Sequence, residues 1–344
     1  MSGPGPKTKV FLTVDVECAE EREIGSGQVQ PALDTDLRIN GILSNQNSPL
    51  GIPWIMGTLE KNQLPGVFFV ESLSSDHFGI EPLRGVCESI RKRGHDVQLH
   101  LHPILRHPNW LTEKREEVED DIGAYSEEEQ TKLLREGIQK LVDAGVPRKE
   151  IVGFRAGNYG ADNRTWKAMA TNGLTISSNY NPSYLGKSCH INWPTKEPGL
   201  FDTGEKVFEL PISNLEEGNG YRHLQITAVT ASETQDFLLE AHKNNISHVT
   251  IVTHSFEFFH LDDANARTGR PNRLNQHRWR SLCRFLGDNR DRFSTETIQS
   301  LAKDAIPNNL SLPKTRTFPR STSVSRARRL VEQAYKRLEA RIPI

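Results

Sequence analysis

The sequence predicts an α/β fold built on a parallel sheet, either open or closed into a barrel. Two observations carry that expectation. Strand-like and helical segments alternate from Lys9 to Ala302, the pattern of consecutive βαβ units. Chemically reactive residue types also fall where strand-like runs end, which in such folds is the edge that carries the site. No repeat of 20–50 residues competes with this reading.

KVFLTV, Lys9 to Val14, is a buried-strand run ending at Asp15-Val16-Glu17. Cys18 to about Pro49 is long, polar and irregular. Ile52 to Lys61 reads as a helix with Ile52, Ile55, Met56 and Leu59 on one stripe. After the Pro65-Gly66 turn, VFFVE (Val67 to Glu71) is a second strand. Ile80 to Arg93 is helical and closes at Gly94. The third strand is GHDVQLHLHP, Gly94 to Pro103. Side chains alternate along a strand, so His100 and His102 share a face while Val97, Leu99 and Leu101 face a core. Two imidazoles so placed can converge on one metal ion, or be solvated residues at a strand end. His95 is expected to be structural.

Ser126 and Glu129 form a capping box for a helix reaching about Ala144. IVGF (Ile151 to Phe154) leads into Arg155 and the segment FRAGNYGAD. Asn163 to Asn172 is helical, and Leu174 to Asn179 and Val207 to Ser213 are strand-like. Glu233 to Asn245 is a helix, and HVTIVTHS ends a dense strand at His254. Arg273 to Leu286 is helical, and the segment from Phe293 to Ala302 reads as a short strand and a final helix.

The chain of 344 residues carries a formal charge of −1, which excludes a general nucleic-acid footprint. Charge is unevenly spread: Pro313 to Ile344 holds nine Lys or Arg against two Glu. Residues 307–325 read as a linker and 326–344 as a basic amphipathic helix, with Leu330, Ala334 and Leu338 on one side. Such a helix docks on its own domain or makes a weak anionic-membrane or protein contact. With no signal-like or membrane-spanning apolar run, a cytoplasmic protein is expected. Four scattered cysteines, without a CxxC, argue against a disulfide framework.

These segments resemble the polysaccharide deacetylase (NodB-homology, carbohydrate esterase) superfamily over roughly Lys9 to Ala302. TVDVE looks like its TFDDG motif, and GHDVQLH like its motif ending in a metal-binding histidine. FRAGNYG looks like its arginine motif, and THS at Thr253 to Ser255 like its strand-end histidine. The DVE and HLHP pattern is closest to a divergent branch resembling WalW-type deacetylase-like proteins. The resemblance implies a distorted (β/α) barrel of about seven parallel strands, occupying residues 1–306. It implies hydrolysis of an acetyl or related acyl group from an N- or O-acylated sugar or glycoconjugate. A divalent metal is implied, zinc first, with cobalt, nickel or manganese as alternatives.

By resemblance, Asp15 is the base, held by Arg155, and a backbone N–H near Tyr159 meets the oxyanion. His254 protonates the leaving group. Departures are specific: Val16 replaces the usual second carboxylate, and Ile104 stands where a second histidine ligand is usual. His102 is the replacement, so the metal set becomes His100, His102 and either Asp15 or Glu17, with Glu17 preferred. A metal-independent cyclic-amide hydrolase of the same superfamily and a non-catalytic carbohydrate-binding or scaffold protein are the competing readings.

Overall fold

The computed structural model describes residues 6–18, 22–24, 28–30, 35–107, 119–194, 198–263, 265–305 and 317–339. Its central sheet contains β1 (Thr8–Val16), β2 (Val67–Glu71), β3 (Asp96–Leu101), β4 (Gly153–Ala156), β5 (Ile176–Ser177), β6 (Phe201–Asp202), β7 (Phe208–Glu209), β8 (His248–His254) and β9 (Phe293–Thr295). The longer helices are α1 (Ile52–Lys61), α2 (Ile80–Lys92), α3 (Glu127–Asp143), α4 (Asn163–Thr171), α5 (Ala231–Lys243), α6 (Arg273–Asp288), α7 (Ile298–Ala305) and α8 (Ser323–Glu339).

Strand order is β8-β1-β2-β3-β4-β5-β7-β6, with β9 paired to the start of β1. Every pairing is parallel except β6 with β7. The sheet curls until irregular backbone after β7 reaches β8. Ser213 N–H donates to Thr250 O, Ile226 N–H to Val252 O, and Val252 N–H to Leu224 O. The fold is therefore a curled, mostly parallel α/β half-barrel, in keeping with the expected distorted (β/α) barrel. It has more strands than the expected seven, because the short β6 and β9 join the sheet.

Alternation sorts the two faces. Val10, Leu12, Val14, Phe68, Val70, Val97, Leu99 and Leu101 point outward into a core shared with residues of α1 to α6. Phe11, Val67 and Phe69 point inward and meet Ile298, Leu301 and Ala302 of α7, which plugs that end. Gly153 permits the plug: a Cβ there would lie 2.6 Å from Ile298 Cγ2. Further along the same inward face the residues become polar: Asp15 on β1, Glu71 on β2 and His100 on β3.

Local signals explain most element ends. Ser126 and Glu129 form the expected capping box on α3. Thr230 with Glu233 caps α5, which therefore starts at Ala231, before the predicted Glu233. Gly94 takes φ +78 after α2, a conformation that favours glycine. The predicted strand Leu174–Asn179 pairs only at Ile176–Ser177. Beyond that point Ser178 and Asn179 turn their side chains onto Arg155 and the Ala156 N–H. Val207–Ser213 likewise pairs only at Phe208–Glu209. In the Cys18–Pro49 segment, Arg22–Ile24 pairs with Gln28–Gln30, and Asp36–Asn40 forms a π-helical turn. Residues 307–316 of the predicted linker lie outside the described residues, and α8 begins at Ser323, inside that linker. Among the described residues no helix is long and apolar enough to cross a membrane.

Two structural histidines make the fold acid-sensitive. Burial, aided by the Lys9 charge, pushes His248 down to about 3. Burial also pushes His95 down to about 4 against the pull of Glu60. His95 is structural as expected: its Nδ1 accepts from Gly66 N–H at 3.1 Å. Each ring binds a proton more readily unfolded than folded. Its contribution is complete above about pH 6.5 and falls by about 1.4 kcal/mol per pH unit below that, down to the folded value. Urea unfolding at pH 6.5 and 5 is expected to show His248→Gln losing about 2 kcal/mol less than the parent. Equal losses would refute the assignment.

Candidate active site

The reactive residues converge because of the curl. In register, Asp15 lies beside His254, and His100 lies beside Arg155. In a flat sheet β1 and β4, three strands apart, would be separated by about 14 Å. Yet Arg155 Nη1 donates to Asp15 Oδ1 at 2.6 Å across the interior. Arg155 is fully buried. It also donates to Thr13 Oγ1 at 2.9 Å, to Ser178 Oγ at 2.9 Å and to Ser178 O at 3.3 Å. Its guanidinium stacks 4.3 Å above the Phe69 ring. Each contact uses the planar fork that a lysine lacks.

Glu17 sits one residue past the end of β1, on the same side as Asp15, and groups with different partners. Its Oε2 is 2.6 Å from His102 Nε2 and 3.1 Å from His100 Nε2. Both imidazoles are oriented from behind. His100 Nδ1 donates to the Arg155 carbonyl at 2.8 Å, and His102 Nδ1 donates to Asp120 Oδ2 at 2.8 Å. An acceptor on each Nδ1 leaves each Nε2 turned toward Glu17. One ligand atom from each of Glu17, His100 and His102 lies within 4.8 Å of the others. Among the described residues this is the group with metal-site geometry. Two oriented imidazoles and one carboxylate match the donor set of a catalytic zinc site. Asp15 lies outside the group.

The electrostatics couple Glu17 to the two imidazoles. Burial would raise Glu17, but the charges and hydrogen bonds of His102 and His100 hold it well below the usual carboxylate range. Burial would lower His102, but Asp120 and Glu17 hold it well above the usual imidazole value. Asp120 is fixed by Ile104 N–H at 3.2 Å and Asn158 Nδ2 at 2.8 Å. Ile104 thus contributes a backbone donor to the site in place of a side chain.

His254 forms a second dyad, with Nδ1 2.9 Å from Glu257 Oε1. Thr253 Oγ1 donates to the other Glu257 oxygen at 2.6 Å. Burial would lower His254, but Glu257 first, then Glu17 and Asp15, push it up to about 9. Its Nε2 faces Asp15 at 3.9 Å and Glu17 at 3.8 Å.

A cavity of about 520 Å³ opens over these groups, lined by Asp15, Glu17, His100, His102, His254 and Tyr159. Asn158, Tyr184, Lys187 and Gln225 complete much of the remainder. Asn158 and Tyr159 both take φ +56, a strained left-handed pair of a kind common at functional sites. Glycine is required at Gly157, where a Cβ would lie 2.4 Å from the His102 ring. The Tyr159 ring is buried and packs 5.2 Å from that of Tyr184.

All seven predicted site residues therefore gather around one cavity, with Arg155 buried among them. Asp120, Glu257 and Gln225 were not predicted. Glu257 had a readable signal, a carboxylate three residues after a strand-end histidine. Asp120 sits in a polar stretch that gave none.

No family model matches the chain, and no curated protein matches it. Among solved structures, the chain is similar to a protein of Mycobacterium smegmatis assigned as a polysaccharide deacetylase. That likeness has a TM-score of 0.50 at 20% identity and covers 94% of this chain and 97% of the other. It is also similar to the 4-alpha-glucanotransferase of Thermococcus litoralis, with a TM-score of 0.52 at 9% identity. That match covers 87% of this chain and 41% of the other. At these identities the likeness is one of fold.

Proposed function

We propose that this chain is a metal-dependent hydrolase that removes an acetyl or related acyl group from an N- or O-acylated sugar or glycoconjugate. One observation carries the reading. The Nε2 atoms of His100 and His102 are both turned onto Glu17, beside a separate Asp15–Arg155 pair and a separate His254–Glu257 pair. That division supplies a metal set, a base and an acid without sharing a residue. The sugar class rests on the sequence motifs and on the fold shared with the Mycobacterium smegmatis protein.

Glu17, His100 and His102 would hold the ion, zinc first. The chemistry a bound divalent ion supplies is polarisation of water and of an acyl oxygen. Asp15, fixed by Arg155, takes the proton of the attacking water. The backbone N–H of Tyr159 donates to the developing oxyanion. His254, protonated below about pH 9 by its pairing with Glu257, donates a proton to the leaving amine or alcohol. Tyr184 and Lys187 on the cavity wall contact the sugar. The paired histidines and their orienting acceptors favour this reading over a metal-independent cyclic-amide hydrolase.

Acetate release from a panel of N- and O-acetylated sugars, with metal analysis of the purified protein, tests the reading. About one zinc, cobalt, nickel or manganese per chain is expected, together with loss of activity on chelation and recovery on metal return. His102→Gln and Asp120→Asn should each weaken metal affinity, the latter by about 10–100-fold. Activity that survives chelation in metal-free protein would overturn the proposal.

A further inference from the structure

Helix α8 is seated on the barrel the opposite way from an ordinary amphipathic helix. Such a helix buries its apolar stripe and shows its polar face to water. Here the polar side is docked. Ser325 and Arg329 are buried. Arg329 Nη2 pairs with Glu217 at 2.6 Å and Glu233 at 3.1 Å, and Glu332 accepts from Arg278 Nε at 3.0 Å. Among the described side chains the large apolar ones face away: Val324, Leu330 and Val331 are 61%, 67% and 70% exposed. They account for three of the five exposed large hydrophobic residues among the described residues.

The charge beside this stripe is basic. Arg328 is exposed, Arg326 is exposed while pairing with Glu217 at 3.7 Å, and the helix sequence holds five Lys or Arg against two Glu. An apolar stripe flanked by arginines matches the boundary between acyl chains and anionic headgroups. A second copy of this chain would set the same arginines against each other across a two-fold interface, so it fits less well.

We propose that α8 docks the protein on an anionic lipid surface through Val324, Leu330 and Val331, with Arg328 meeting headgroup phosphates. The docked side of the helix is tied to the cavity. Glu217, which receives Arg329, ends the first strand of the Asn214–His223 hairpin. At the other end of that hairpin, His223 Nε2 is 2.6 Å from Gln225 Oε1, and its ring packs 5.4 Å from Tyr184. Gln225 and Tyr184 both line the cavity.

The test is co-sedimentation of the full chain with phosphatidylcholine vesicles, with and without phosphatidylglycerol. Binding at least about tenfold stronger to the anionic vesicles and weakened by salt is expected. Leu330→Asp with Val331→Asp should abolish it, and Arg328→Glu should weaken it on the order of fivefold. All three positions are exposed, so unchanged unfolding midpoints are expected and separate lost docking from lost folding. Equal binding to both vesicle types, or binding that survives the double variant, would overturn the proposal. So would absence of vesicle binding, whether sedimentation then shows a concentration-dependent dimer lost in the double variant or a monomer left to a protein partner. The proposal is independent of the hydrolase assignment, since acetate release from soluble sugars should persist in every variant.

Discussion

Asp15→Asn is expected to lower acyl-release turnover by about 10²–10⁴-fold, the range for loss of a positioned general base, while leaving metal content unchanged. Glu17→Gln is expected to remove the metal and the activity together. The contrast follows from geometry. Asp15 is engaged by Arg155 at 2.6 Å, whereas Glu17 faces two imidazole Nε2 atoms. Turnover and metal content measured on the same preparations separate the two carboxylates. Metal lost in Asp15→Asn but retained in Glu17→Gln would exchange their roles. Full activity in both would remove the site from the reaction. Asparagine at 15 can still accept from Arg155, so the pair's geometry is the least disturbed by this change.

This distinction marks the limit of what the sequence could convey. Strand alternation places Asp15 and Glu17 on one side, and His100 and His102 on one side, because a period of two belongs to the backbone alone. It says nothing about partners across the barrel. Asp15 lies within paired β1, in register with His254, so its side chain is directed at Arg155 across the curl. Glu17, one residue past the strand, is free of that register and reaches the histidines of β3. Asp120 orients His102 from 18 residues further along the chain. A lone aspartate in a polar stretch carries no periodicity that would select it. The fold was more legible than the site because long apolar runs such as Lys9–Val14 and His248–Thr253 declare buried strands. Strand ends were overextended where polar side chains such as Ser178 and Asn179 leave the ladder to serve Arg155.

Arg155→Met is expected to cost about 3–5 kcal/mol of stability, the usual consequence of leaving one member of a buried ion pair unpaired. The guanidinium satisfies Asp15, Thr13 and Ser178 together and lies against Phe69, with no exposure of its own. Methionine fills part of the volume and none of those acceptors. Arg155→Lys should recover only part of the loss, because one ammonium cannot span acceptors arranged for a planar fork. Asp15→Asn added to Arg155→Met should restore at least about 1 kcal/mol by removing the stranded buried charge. Urea unfolding of the parent, Asp15→Asn, Arg155→Met, Arg155→Lys and the double variant at neutral pH reads these differences. Additive effects of the two changes would mean that Asp15 and Arg155 do not act as a pair. A single-variant loss below about 1 kcal/mol would mean that the pair is not what holds this end of the barrel together.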